Sequence, residues 1–194
     1  MFGWIPRRMG VLQRRMFSAK NFIKRKVSEN SMLLYYHQDV ELHLSPDISS
    51  DFNITTPERL EERVKHNLRV FMEHNPKYKE YIHRFSPLKG VIILDAHGDE
   101  KEGKFVYWDG DKSYSVQSWI NRNDGRAAAL ILSCCNPASL EIRSKKSIVL
   151  VPDQTFSGER LNNGKVTIEM YVPKVGYVDS YIIDYELGKL PFIV

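Results

Sequence analysis

A histidine and a cysteine, each just past an apolar run, are the residues of this 194-residue chain best suited to covalent chemistry. The first run, Gly90 to Leu94 of GVIILDAHGDE, gives way at once to Asp95, His97, Gly98 and Asp99. The second, AAALILSCC over 127–135, ends in Ser133, Cys134 and Cys135. A thiolate is a strong nucleophile, and an adjacent imidazole can take the thiol proton and later return it to a leaving amine. Gly98 lets the chain turn sharply and approach a substrate closely. The backbone N–H groups of Gly98 and Cys135 are natural donors to a developing oxyanion. Asp95 and Ser133 stand beside the pair as supporting groups.

For this chemistry the two runs must end at one place. Apolar runs separated by helical patterns predict an α/β sandwich of three layers, with a mostly parallel central sheet covered on both faces. In open parallel sheets, functional groups gather beyond the carboxyl ends of the strands. The segment between the runs holds a hairpin and a helix, enough for a right-handed crossover. Adjacent strands lie roughly 4.8 Å apart, so His97 and Cys135 are predicted to meet across one sheet edge. Asp39 and Asp153, each read as ending a strand, could share that edge and favour a basic side chain in a substrate.

The remaining elements follow from pattern. Residues 32–44 read as a strand bending near Gln38 and Asp39, and 45–53 as a loop. Residues 55–75 read as a helix capped by Thr56, with Pro57 in its first turn and Glu58, Glu61 and Glu62 opposing its dipole. Leu60, Val64, Leu68 and Phe71 form its buried stripe. A short helix through Tyr81 and Ile82 precedes the apolar strand 90–95. Residues 103–115 predict a hairpin turning at Asp109 and Gly110, and 115–122 a short helix. Residues 147–153 predict a third apolar strand, and the alternating runs 165–173 and 177–187 strands nearer an edge.

An apolar strand ending in His-Gly, then one ending in a small residue and Cys, resembles the caspase-like (clan CD) cysteine peptidases: caspases, legumain, clostripain, gingipain, separase and the CHAT domains. The stretch from VIILDAHG through FVYWDG to AALILSCCNPAS is most similar to the CHAT pattern, whose second strand ends in Leu-Ser-Ala-Cys-Asn. The resemblance spans roughly residues 88–153, with the histidine and cysteine 38 residues apart. It implies a caspase-like α/β domain over 29–194 and a peptide or protein substrate. It also implies a dyad of His97 and Cys135, with Gly98 at the oxyanion glycine and Cys134 at the alanine position. Such a dyad needs no metal and no other cofactor. The sequence departs from the pattern in lacking a glycine soon after Cys135, and the short segment before the next strand leaves little room for a helix. A catalytically silent interaction module is the alternative on the same scaffold. A third reading takes Asp95, His97 and Asp99 as a metal set, since D-A-H-x-D also resembles a manganese-binding motif of arginase-like ureohydrolases.

Composition bounds the setting. The net charge is +4, yet residues 1–28 hold eight Lys and Arg and no acid, leaving 20 basic against 24 acidic residues in the body. The basic character therefore belongs to a leader, and nucleic acid is not an expected partner of the folded domain. The leader reads as a targeting or disordered segment. Its composition resembles a mitochondrial presequence, with RRMFSAK resembling a processing site before Ser18, and a basic arm for anionic surfaces is the other reading. No apolar run approaches the ~20 residues of a membrane helix. The only cysteines are adjacent, so no disulfide framework is expected, and a reducing compartment, cytoplasm or mitochondrial matrix, is predicted.

Overall fold

The structure, a computed structural model, describes residues 32–73, 77–85, 87–136, 138, 140–152 and 165–184. The leader 1–28 and Asp153 lie outside the described residues. In chain order the strands are β1 Leu33–His37, β2 Val40–Leu44, β3 Val91–Asp95, β4 Gly98–Lys101, β5 Lys104–Asp109, β6 Lys112–Ser115, β7 Ala129–Ser133, β8 Ile148–Pro152, β9 Lys165–Val172 and β10 Gly176–Asp184. The helices are α1 Pro46–Asp51, α2 Pro57–Leu68, α3 Tyr78–Phe85 and α4 Val116–Asn123, with a π-helical turn at Arg69–Glu73 continuing α2.

Seven strands form one sheet in the order β1-β2-β3-β7-β8-β9-β10, and β4-β5-β6 form a second, antiparallel one. Strands β2, β3, β7 and β8 pair in parallel. The flanking pairings β1–β2, β8–β9 and β9–β10 are antiparallel. The sheet is thus mixed, where the sequence predicts a mostly parallel one. Two of the three antiparallel pairings, β1–β2 and β9–β10, are hairpins, whose strands must run antiparallel. One of them is hidden in the sequence. Residues 32–44 are two strands, not one bent strand, turning at Gln38 and Asp39. Gln38 takes a φ of 52° without the glycine that normally advertises such a turn. By contrast Gly110, at φ 62°, supplies the left-handed residue of the β5–β6 turn.

Side chains alternate between the two faces of the main sheet. Leu42, Leu44, Ile93, Ile131 and Leu150 pack with Ile48, Leu60, Val64, Phe71 and Tyr78 from the α1–α3 side. Ile92, Leu94, Leu130, Leu132, Val149 and Val151 pack with Phe105, Tyr107, Trp119 and Ile120 from the second sheet and α4. These two clusters make three layers. No helix of the described residues is long and apolar enough to cross a membrane.

The expected helix starts are in place. Thr56 Oγ1 accepts the Arg59 N–H at 3.4 Å, and Pro57 opens α2. The segment read as a loop contains α1, capped by Ser45, whose Oγ accepts the Ile48 N–H at 3.3 Å. Helix α2 also buries polar residues, Arg63, His66 and Asn67, on the side facing the sheet.

Burial lowers the pKa of His66 to about 4, helped by the positive charges of Arg63 and Arg69 and opposed by Asp95. The folded protein therefore keeps His66 neutral where the unfolded chain binds a proton. This contribution to stability is complete above pH 6.5 and is lost as pH falls from 6.5 to about 4. At ~1.4 kcal/mol per pH unit its ceiling is about 3 kcal/mol. Urea unfolding across that window should show falling stability in the wild type and a flatter profile in His66→Gln.

Candidate active site

Strands β3 and β7 are parallel neighbours whose last residues, Asp95 and Ser133, lie opposite each other. The two apolar runs therefore end at one sheet edge, as their chemistry requires. Beyond that edge, Ala96 N–H donates to Ser133 O at 3.2 Å and holds the diverging chains together. Two residues further on, the backbones leave no room for a side chain. A Cβ placed on Gly98 would lie 2.0 Å from the carbonyl oxygen of Cys135 and 2.8 Å from its nitrogen. Only glycine fits, and the backbone of Gly98 touches that of Cys135.

Asp95 anchors this edge. Its side chain is buried, and Arg63 grips it twice, Nε to Oδ2 at 2.6 Å and Nη2 to Oδ1 at 2.9 Å. Asn67 Nδ2 donates to Oδ2 at 2.9 Å. Ser133 Oγ lies 3.2 Å from Asp95 Oδ1 and 3.3 Å from Asn67 Oδ1, sharing its proton between them. Burial pushes the Asp95 carboxyl up, but the charge of Arg63 and the hydrogen bonds from Arg63, Asn67 and Ser133 outweigh it. The group is held below the usual carboxylate range. Asp95 and Ser133 thus tie β3, β7 and α2 together.

His97 pairs with Asp51 at the end of α1, with Asp51 Oδ2 2.9 Å from His97 Nε2. Both side chains are about half exposed. His97 O accepts the Trp108 N–H at 2.8 Å, which fixes the main chain of the histidine to β5.

The adjacent cysteines have different surroundings. Cys134 packs into the apolar cluster with Leu94, Leu130 and Leu132. Burial, then the neighbouring Cys135 and Asp95, push its thiol well above the ordinary range. Cys135 is only half buried. The loop that follows is closed by buried Asn136, whose Nδ2 donates to Leu140 O at 3.0 Å while its Oδ1 accepts the Leu140 N–H at 2.9 Å.

One sequence expectation requires correction, and one alternative reading lacks the geometry it needs. Asp39 lies in the β1–β2 turn at the amino end of β2, where its carbonyl accepts the Val91 N–H at 2.8 Å. This is the edge opposite His97, so Asp39 cannot line the same site. It lines a separate polar cavity of about 140 Å³ with Glu41, Lys89 and Arg126. Nor do Asp95, His97 and Asp99 converge. Asp95 is occupied by Arg63, and Asp99 Oδ1 accepts its neighbour's N–H, from Glu100, at 2.7 Å. Among the described residues no three His, Cys, Asp or Glu side chains are placed to hold a metal.

Sequence reasoning missed Arg63, Asn67 and Asp51. The first two carried a signal: they are polar residues four apart along the stripe of Leu60 and Val64, where a charge needs a buried partner. Asp51 sits on a helix where the sequence pattern suggests a loop, although Ser45-Pro46-Asp47 is a legible helix start.

Arg63→Ala should destabilise the fold by about 3–5 kcal/mol, since it strands a buried carboxylate; chemical unfolding measures this. Iodoacetamide on the native protein should modify Cys135 and leave Cys134 unmodified until denaturant is added, as read by peptide mapping. No protein-family model, curated protein or solved structure is found to match the chain.

Proposed function

We propose that this protein is a caspase-like cysteine peptidase in which His97 and Cys135 act as a dyad. The observation carrying this reading is the backbone contact between Gly98 and Cys135 at the edge where β3 and β7 end in register. It sets the residue after His97 against the main chain of Cys135, from segments far apart in the sequence, and this supports the reading.

In the reaction, His97 takes the Cys135 proton and the thiolate adds to the carbonyl carbon of a peptide bond. The oxyanion that forms is met by the N–H groups of Gly98 and Cys135. Register supports the first donor. The bond from Trp108 N–H to His97 O makes His97–Trp108 a hydrogen-bonded pair, so Gly98 faces Tyr107 in a non-hydrogen-bonded pair. Its N–H is therefore directed away from β5. Collapse of the intermediate breaks the C–N bond, His97 protonates the departing amine, and a thioester remains on Cys135. Water, deprotonated by His97, hydrolyses the thioester, releases the acid and restores the thiol. The substrate is a peptide or protein, and a free thiol nucleophile suits a reducing compartment such as cytoplasm or mitochondrial matrix.

The test is a peptide-library cleavage assay. Wild type should cleave, Cys135→Ala should be inactive, and His97→Ala should lose roughly 10²–10⁴-fold in rate. Absence of cleavage with slow, His97-independent alkylation of Cys135 would instead identify a silent interaction module. Cleavage that survives Cys135→Ala and is abolished by chelators would identify a metal-dependent hydrolase.

A further inference from the structure

We propose that Asp51 is the positioning residue of this site: by accepting a hydrogen bond from Nε2–H of His97, it leaves Nδ1 as the nitrogen that exchanges the Cys135 proton. The inference rests on the dyad reading above and adds a third member from another part of the chain. Its starting point is the 2.9 Å contact between Asp51 Oδ2 and His97 Nε2. A neutral imidazole whose Nε2 proton is committed to a carboxylate has only Nδ1 available as a base. The carboxylate also stabilises the imidazolium that forms when that base is protonated.

The arm that delivers Asp51 is anchored at both ends. Ser45 opens it, with its N–H donating to Asp95 O at 2.9 Å and its Oγ capping α1. The helix therefore springs from the same residue that ends β3. Ile48 is buried in the core beneath the arm. At the far end Phe52 lies under the Arg63 guanidinium, 4.6 Å from the ring centre, and that guanidinium grips Asp95. Ser49 Oγ donates to Ile54 O at 2.9 Å and secures the exit. Asp51 thus hangs between two points, both referenced to Asp95, two residues from His97.

Helix energetics do not explain an acid at this position. Asp51 is the last residue of α1, where a negative charge opposes the helix dipole, and no basic residue sits in that turn. Stability does not explain it either, because so exposed an ion pair contributes little to folding. What the pair does is fix the orientation of a half-exposed imidazole.

The experiment compares wild type, Asp51→Asn, Asp51→Ala and His97→Ala in full-length protein. The readouts are Cys135 alkylation by iodoacetamide, ring ¹⁵N NMR of labelled histidine, and urea unfolding. Wild type should show His97 as the Nε2–H tautomer. Both Asp51 variants should lose that tautomer preference and slow alkylation by roughly 10- to 100-fold, the scale of a misplaced catalytic group, with the unfolding midpoint unchanged. Alkylation and tautomer signals that match wild type in both Asp51 variants, while His97→Ala still slows alkylation, would overturn the role of Asp51 and leave the dyad standing. Alkylation unaffected by His97→Ala would overturn the dyad itself, and the role of Asp51 with it.

Discussion

A carboxylate buried at the last residue of a core strand is tolerable only if its charge is matched where it lies. Asp95 is that residue, and Arg63 matches it with two hydrogen bonds from a helix that crosses the same edge of the sheet. Much of the site's geometry follows. The pair fixes α2 over the end of β3, and the Ser133 hydroxyl brings β7 into the same network. The backbone carbonyl of Asp95 receives the first residue of the α1 arm. Three separate segments are thereby measured from one residue. His97 lies two positions beyond it, and Cys135 two beyond its partner Ser133.

Such a centre is costly to build. Every oxygen of the buried carboxylate must find donors, and Arg63, Asn67 and Ser133 supply them from two elements. A partly satisfied network would be worse than an apolar core. Placing it beneath the edge, rather than in the solvent above, holds the backbones of His97 and Cys135 while leaving their side chains partly accessible. The same logic separates the cysteines. The alternation of β7 buries Leu130, Leu132 and Cys134 on one face, and the following residue emerges at the edge. One thiol is packing material and its neighbour is available for chemistry.

Glycine does the remaining geometric work. The chains that continue from β3 and β7 stay in close contact after they leave the sheet. A side chain at position 98 would collide with the main chain of Cys135. Removing the Cβ brings two backbone N–H groups into one neighbourhood, which suits stabilisation of a developing negative charge. On the opposite edge the turns have a different character, with the Glu41–Arg126 pair and a polar cavity beside Asp39. The two ends of the sheet therefore offer different surfaces.

Amino-acid pattern alone determined the α/β class, the two apolar strands ending in His97-Gly98 and Ser133-Cys134-Cys135, and their meeting at one edge. It could do so because burial on both faces leaves a continuous apolar run, and parallel neighbours must end together. It also located α2, α3, α4 and the β5–β6 turn, where caps, periodicity and Gly110 mark the chain locally. It could not find the β1–β2 hairpin, because Gln38 adopts a left-handed backbone without a turn residue's signature. The hidden turn puts Asp39 at the edge opposite the one that its sequence position suggests. Nor could it find the partners of Asp95 and His97. Arg63 and Asn67 lie about thirty residues before Asp95, and Asp51 lies 46 residues before His97. Contacts at such separations depend on where folding sets a helix down upon a sheet edge, and no local pattern encodes that distance.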